Sequence, residues 1–317
     1  MDKECYHFCT IIDKEYLYKG LALYYSLKKH SADFHLWICC MDDISKRLLD
    51  GMGLDAVTLI SLESMEDDEL LAIKGFRTAS EYSWTLKAPL VLHILKNYDF
   101  LKSIIYIDGD LYFFADPVTI FKQWGEGSIF ICEQKLADKR IDTGIYQAGL
   151  IGFKKDLNAS RCLEWWRSKC LEWCYHWHDG DRWTDQKYLD KWPELFSSVT
   201  VSKDSGVNVG PWNVGHNQTA PKINVWNNEL YIDGHMLVVY HFTGFVILNW
   251  FEFDLCNWWK VNEAVISPVY VPYMAAIGEA MKNVYKVDNT FSYGLTNEKK
   301  AENITHYYKY LIPSPVP

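Results

Sequence analysis

No Gly-x-Gly-x-x-Gly follows the first strand-like segment, and no Walker sequence occurs in the 317 residues. A dinucleotide oxidoreductase or a phosphate-loop ATPase is therefore not expected. No run of about 18 apolar residues is present, so no membrane span is expected either. Positive charge is short: 32 Lys and Arg stand against 41 Asp and Glu, for a net charge of −9. The basic patch of a dedicated nucleic-acid binder is missing, and no nucleic-acid partner is expected. Linkers, internal repeats and low-complexity blocks are absent as well. One compact catalytic domain with a helical C-terminal portion fits this best.

Regular cysteine spacing is lacking too. The nine cysteines are an odd number without a pattern, which suits a reduced cytoplasmic protein whose thiols are small buried apolar groups. Met1-Asp2-Lys3-Glu4-Cys5 runs straight into a strand-like segment, so no signal peptide is expected. The Asn-x-Ser/Thr sequons at Asn158, Asn217 and Asn303 then carry no meaning. Cys170, Cys174, His176 and His178 lie close together in CLEWCYHWHDG. Their spacing fits no standard zinc pattern, and a packed aromatic helix end is the better reading.

What the chain does have is SIIYIDGDLYFFAD at 103–116. Ile104, Ile105, Tyr106 and Ile107 read as a short buried strand, and Asp108-Gly109-Asp110 falls where that strand should end. Two acids in such a place are costly unless something neutralises them. Two carboxylates across one glycine can share magnesium or manganese, which completes its shell with water and substrate phosphates. A surface turn is the alternative, since Asp and Gly are common turn residues; the apolar runs on both sides weigh against it. Aromatic residues make up 16% of the chain, with 14 Trp and 21 Tyr, enough for stacking platforms as well as core.

Hydrophobic periodicity predicts strands at 6–12, 34–40, 56–60 and 104–107, with helices over 14–30, 44–54 and 81–97 between them. Strands alternating with helices indicate parallel crossovers in a three-layer α/β sheet. The second half is less regular. Strands are expected at 128–132, 146–153 and 238–241, and helices over 157–175 and 184–189. The tail from 297 to 317, ending in IPSPVP, reads as peripheral.

Taken together, these segments resemble nucleotide-sugar glycosyltransferases of the GT-A fold, an α/β fold with a mixed, mostly parallel sheet flanked by helices. The likeness is to the group of glycogenin and bacterial lipopolysaccharide galactosyltransferases, and closer still to bacterial surface-polysaccharide transferases. It spans about 6–245 and rests on the order and spacing of CTIIDKEYLYKG, SWTLKAPL, YIDGDLYFF, YQAGLIGF, RWTDQKYLD and VVYHFTGF. The resemblance implies that Asp108, Asp110 and His241 bind manganese or magnesium with the donor diphosphate, and that Gly244 belongs to the same site. It implies that Thr10, Asp13 and Tyr16 receive uracil, although Asp13 would serve equally as a helix cap. Lys87 is then the cation near ribose and phosphate, with Arg77 a more distant candidate. Gln147, Ala148 and Gly149 would line the donor-sugar pocket; Gln147 stands where the family usually has Asn, which points to a different donor. Asp185 and Gln186 would lie at the anomeric carbon. Asn208, Gly210, Trp212 and Asn213 would form an acceptor-side loop, or plain turns.

The implied activity is transfer of a sugar from a UDP-sugar to a glycan or lipid-linked saccharide in bacterial surface-polysaccharide synthesis, with retention of configuration. An inverting reaction would instead need Asp185 or Glu133 as base. A sugar-nucleotide nucleotidyltransferase and a non-catalytic carbohydrate-binding protein are the alternatives. The expected division is a catalytic domain at 1–245 and a helical extension at 246–317, in the cytoplasm or peripherally at the inner face of the membrane. The aromatic stretch FVILNWFEFDLCNWW at 245–259 reads as helix-packing surface rather than membrane contact, because it is poor in basic residues.

Overall fold

The computed structural model describes residues 5–31, 33–135, 141–214, 221–296 and 304–310. The sequons at Asn217 and Asn303 and the IPSPVP end lie outside the described residues. Eight strands open the fold: β1 (Tyr6–Ile12), β2 (Phe34–Cys40), β3 (Val57–Ser61), β4 (Ser103–Ile107), β5 (Leu111–Phe113), β6 (Ile129–Glu133), β7 (Tyr146–Lys154) and β8 (Val199–Ser202). All but β5 form one sheet in the order β3-β2-β1-β4-β7-β6-β8. Within it β7 alone runs against its neighbours.

The strands read as continuous apolar runs because both faces of the sheet are covered. Phe8, Ile12, Leu36, Ile38 and Ile105 point into one core, while Cys9, Ile11, Trp37, Cys39 and Ile104 point into the other. The first core receives α1 (Leu17–His30) and α2 (Asp43–Met52). The second receives α3 (Asp68–Lys74), α4 (Ala79–Thr85) and α5 (Lys87–Asn97). Then come α6 (Val118–Trp124) and α7 (Leu157–Glu172), the latter packed on α5.

Three departures from the expected elements have local causes. The helix expected over 81–97 is broken at Leu86, because Pro89 has no N–H to offer the carbonyl of Thr85. α1 begins at Leu17 rather than residue 14; Asp13 Oδ1 accepts from the Tyr16 N–H and holds 13–16 as a turn. The pattern over 184–189 gives a short 3-10 turn, Lys187–Lys191, after Thr184 takes a positive φ.

A small antiparallel sheet follows, of β9 (Ile223–Trp226), β10 (Glu229–Ile232) and β11 (His235–Met236). Next, β12 (Val239–His241) pairs with β5. The stretch 245–259 packs on a helix, Phe245 against Tyr273 and Trp250 against Tyr285, and is itself built of β13 (Val246–Ile247) and β14 (Glu252–Asp254), the latter paired with β15 (Tyr307–Lys309). Residues past 245 thus add strands as well as a long helix, Val271–Val287. The continuous stretch Glu263–Val287 is long and apolar enough to cross a membrane, but more than half of its apolar window is buried. Tyr273, Ile277 and Met281 share the core of α1, so it packs as a core helix.

Candidate active site

The acid pair sits where β4 ends against β1 and β7. Asp108 donates its N–H to the carbonyl of Gly149 on β7 (2.9 Å). Gly109 then passes so close to β1 that a Cβ there would meet Ile12 Cδ1 at 2.7 Å. A side chain there would have to displace the end of Ile12. Asp110 directly precedes β5, and His241 ends β12, its partner. The ladder thereby brings His241 Nε2 to 3.0 Å from Asp110 Oδ1 and 4.0 Å from Asp108 Oδ2. Ligand atoms of Asp108, Asp110 and His241 all lie within 4.8 Å of one another, the one such group of three among the described residues.

Gly149 makes room for this group: a Cβ there would lie 2.6 Å from His241 Cε1 and 2.9 Å from Asp108 Oδ2. Burial disfavours the charge on Asp110, yet His241 outweighs it and holds the carboxyl down at about 2. Burial likewise works against a His241 imidazolium, but Asp110 raises its pKa above the usual value. Two carboxylates and an imidazole around a cradle are a donor set suited to a hard or borderline divalent cation. The residues fit the metal that the Asp-x-Asp pattern implies.

Beside this group runs a buried charge network. Lys87 enters from the first turn of α5, and its Nζ lies 3.1 Å from Asp108 Oδ1, 3.1 Å from Asp185 Oδ2 and 3.2 Å from the carbonyl of Ala148. Tyr106 donates to Asp108 Oδ1 (2.8 Å). Burial opposes the Lys87 charge, but Asp108 and Asp185 hold its pKa well above the lysine range. For Asp185, burial raises the pKa and Lys87 opposes the rise. Gln186 accepts from the Ala148 N–H (3.2 Å) and donates to the carbonyl of Thr143 (2.9 Å). Its amide therefore braces the strand carrying Gln147, Ala148 and Gly149.

These residues open into one cleft of about 820 Å³. Asp13, Tyr16, Lys87, Asp108, Gly109, Asp110, Gln147, Ala148, Gly149, Asp185, Gln186 and His241 all line it. Thr10 and Gly244 are not among its lining residues. Thr10 is fully buried in β1, its hydroxyl without a hydrogen-bond partner among the described residues. Gly244, at φ +73°, shapes the turn after His241 and packs on Asn257. Of the loop at 208–213, Trp212 alone faces the cleft, its ring edge-on to His241 at 5.3 Å. Asn213 instead accepts from the Gly210 N–H. Gln134, rather than its neighbour Glu133, faces the cleft.

Two candidates are relocated. Arg77 donates to the carbonyls of Cys170, Leu171 and Cys174, closing the end of α7, and takes no part in the cleft. Cys170 and Cys174 are buried thiols, whereas His176 and His178 are exposed and packed on tryptophans. The four do not gather as ligands. Residues without a sequence signal also enter. Trp84, Trp183 and Trp258 line the cleft, and Lys19, outside its lining, is nearly buried with its Nζ 4.3 Å above the ring of the lining residue Tyr16. For Lys19 the sole hint was its one-turn spacing from Tyr16.

No protein-family model matches the chain. It is 32% identical over 309 residues to the uncharacterized protein YfnD of Bacillus subtilis (strain 168), covering 95% of this chain and 98% of YfnD. It is 34% identical over 254 residues to YfnF of the same organism, covering 76% of this chain and 82% of YfnF. Among solved structures, mouse xyloside xylosyltransferase 1 in its apo form superposes with a TM-score of 0.50 at 14% identity, over 75% of this chain and 98% of that one. That likeness bears on the fold. The chain belongs to the family of YfnD and YfnF, and the fold that carries its candidate site is that of the GT-A glycosyltransferases.

Proposed function

We propose that this protein is a metal-dependent glycosyltransferase that moves a sugar from a UDP-sugar to a saccharide acceptor, with retention of configuration. The observation that carries this reading is the Asp108–Asp110–His241 group, gathered at strand ends in a single large cleft with Gly149 opening space beside it. Strand ends of an α/β sheet are where such folds bind ligands.

Manganese or magnesium held by Asp108, Asp110 and His241 would supply Lewis-acid stabilisation to a departing diphosphate. The chain's own residues do the rest. Tyr16 and Asp13 line the end of the cleft that takes the base, the ring for stacking and the carboxylate for its edge. Lys87 neutralises Asp108 and Asp185 together and fixes both carboxylates in place. Asp185 accepts hydrogen bonds from sugar hydroxyls, while Gln186 braces the strand beneath the sugar. Gln147, Ala148 and Gly149 let the ring approach backbone. In the transfer, the bond from the anomeric carbon to the diphosphate oxygen breaks and a bond to the acceptor oxygen forms on the same face. The acceptor proton passes to the leaving phosphate, so no side chain is needed as base.

Cytoplasmic surface-polysaccharide assembly is the setting proposed, with 1–245 as the catalytic unit and 246–317 as its extension. Release of nucleotide from UDP-, GDP-, TDP- and CMP-sugars, with and without manganese, tests the activity. Manganese-dependent turnover of one UDP-sugar that disappears in Asp108→Ala is expected. Folded protein that turns over none of them would overturn the transferase.

A further inference from the structure

The mouth of the cleft is built unlike its floor. Trp84 from α4, His176 and Trp183 from the chain after α7, and Trp258 from the chain after β14 converge there. His176 is the hub, with ring centroids 5.7 Å from Trp84, 5.3 Å from Trp183 and 6.2 Å from Trp258. These rings do not serve as ordinary core. His176 is exposed, Trp84 and Trp183 are half-buried, and Trp258 keeps 61% of its surface open. Large aromatic faces left in a cleft lose the benefit of burial until a ligand covers them.

The rim is also held in position before any ligand arrives. The His176 N–H donates to Glu81 Oε1 (3.0 Å), and Glu81 is the buried acid that completes the capping box of α4 with Thr78. Near Trp258, the Asn257 N–H donates to the carbonyl of Gly244 (3.0 Å) and Cys256 Sγ to that of Thr243 (3.3 Å). Trp258 is thereby tied to the turn that follows His241. Fixed aromatic surfaces bind at low entropic cost.

We propose that this aromatic rim is the acceptor subsite and that it takes a pyranose ring stacked on Trp258 and Trp84. The inference rests on the transferase reading: if the Asp/His floor holds the donor diphosphate, the acceptor has to enter through the rest of the same cleft. A pyranose offers a flat C–H face to indole and leaves its hydroxyls free at the edge. Rings at the mouth hold such a sugar with one hydroxyl directed to the floor.

The test is saturation-transfer NMR of methyl pyranosides (glucose, galactose, N-acetylglucosamine and rhamnose types) with the full chain saturated with UDP and manganese. At least one pyranoside is expected to bind, and Trp258→Ala and Trp84→Ala should each weaken it about five- to tenfold. UDP affinity should be unchanged in both variants. Absence of pyranoside binding, or binding undiminished in both variants, overturns the proposal. A fall in UDP affinity in the variants also overturns it, because the rim would then hold the donor. Should UDP and manganese fail to bind the wild type, the transferase reading fails on its own; the same titrations on the protein alone then decide the rim.

Discussion

At the floor of the cleft, one absent side chain controls the distance between two candidate ligands. A Cβ at residue 149 would press on both His241 and Asp108, so Gly149→Ala is expected to leave the protein folded while abolishing its thermal stabilisation by manganese. A manganese response equal to wild type would contradict the placement of the site. Lys87 presents a different balance. Removing one partner of a buried ion pair leaves the other charge uncompensated, at a cost of about 3–5 kcal/mol. Lys87→Met should approach that figure in urea unfolding, because Lys87 and Asp185 are both almost fully buried. A loss below about 1 kcal/mol would mean that solvent screens the network. Asp108 and Asp110 were legible in the sequence because acids interrupt an apolar run, whereas His241 was named only through the family resemblance. The partners of Lys87 were not legible, because Asp108 and Asp185 lie far along the chain from it and ion pairs of that kind leave no periodic trace.

At the scale of elements, α4 is stabilised and connected by one residue. Glu81 closes the capping box on Thr78 and also receives the His176 N–H. Glu81→Ala should therefore cost about 1–2 kcal/mol, read as a lower midpoint in chemical denaturation. It should also weaken pyranoside binding at the rim without changing UDP affinity. Loss of stability with saccharide binding intact would separate the cap from the rim. The alternation of strands and helices was plain from periodicity, since apolar residues on both sheet faces give continuous runs. What periodicity missed were interruptions: the break before Pro89, the turn held by Asp13, and the strands within 245–259. Each is decided by one or two hydrogen bonds rather than by a pattern over many residues.

Over the whole molecule, histidines link stability to pH. Burial pushes His7 and His30 down to about 4, and it also lowers His35 and His93. The unfolded chain, with imidazoles near about 6.5, binds more protons than the folded one through that window, so stability should rise with pH between about 4 and 6.5. His241 acts in the opposite sense, its pKa being raised, and so do the raised carboxyls of Asp13 and Asp185, three groups against four of which two are shifted far. Thermal midpoints across that range should climb, and less steeply in His7→Leu; a flat or falling profile would contradict the assignment. The α/β architecture was readable in the sequence, and so was the acid pair of the candidate metal group, whereas the rim was not. Trp84, Trp183 and Trp258 belong to three separate segments that meet only in the folded chain.

The most direct measurement is calorimetric titration of UDP into the wild type and His241→Ala, each with and without manganese. The account predicts UDP binding that requires manganese in the wild type and falls by at least about tenfold in the variant, the order expected on losing one of three ligands. Binding of UDP that is indifferent to both manganese and His241 would contradict it.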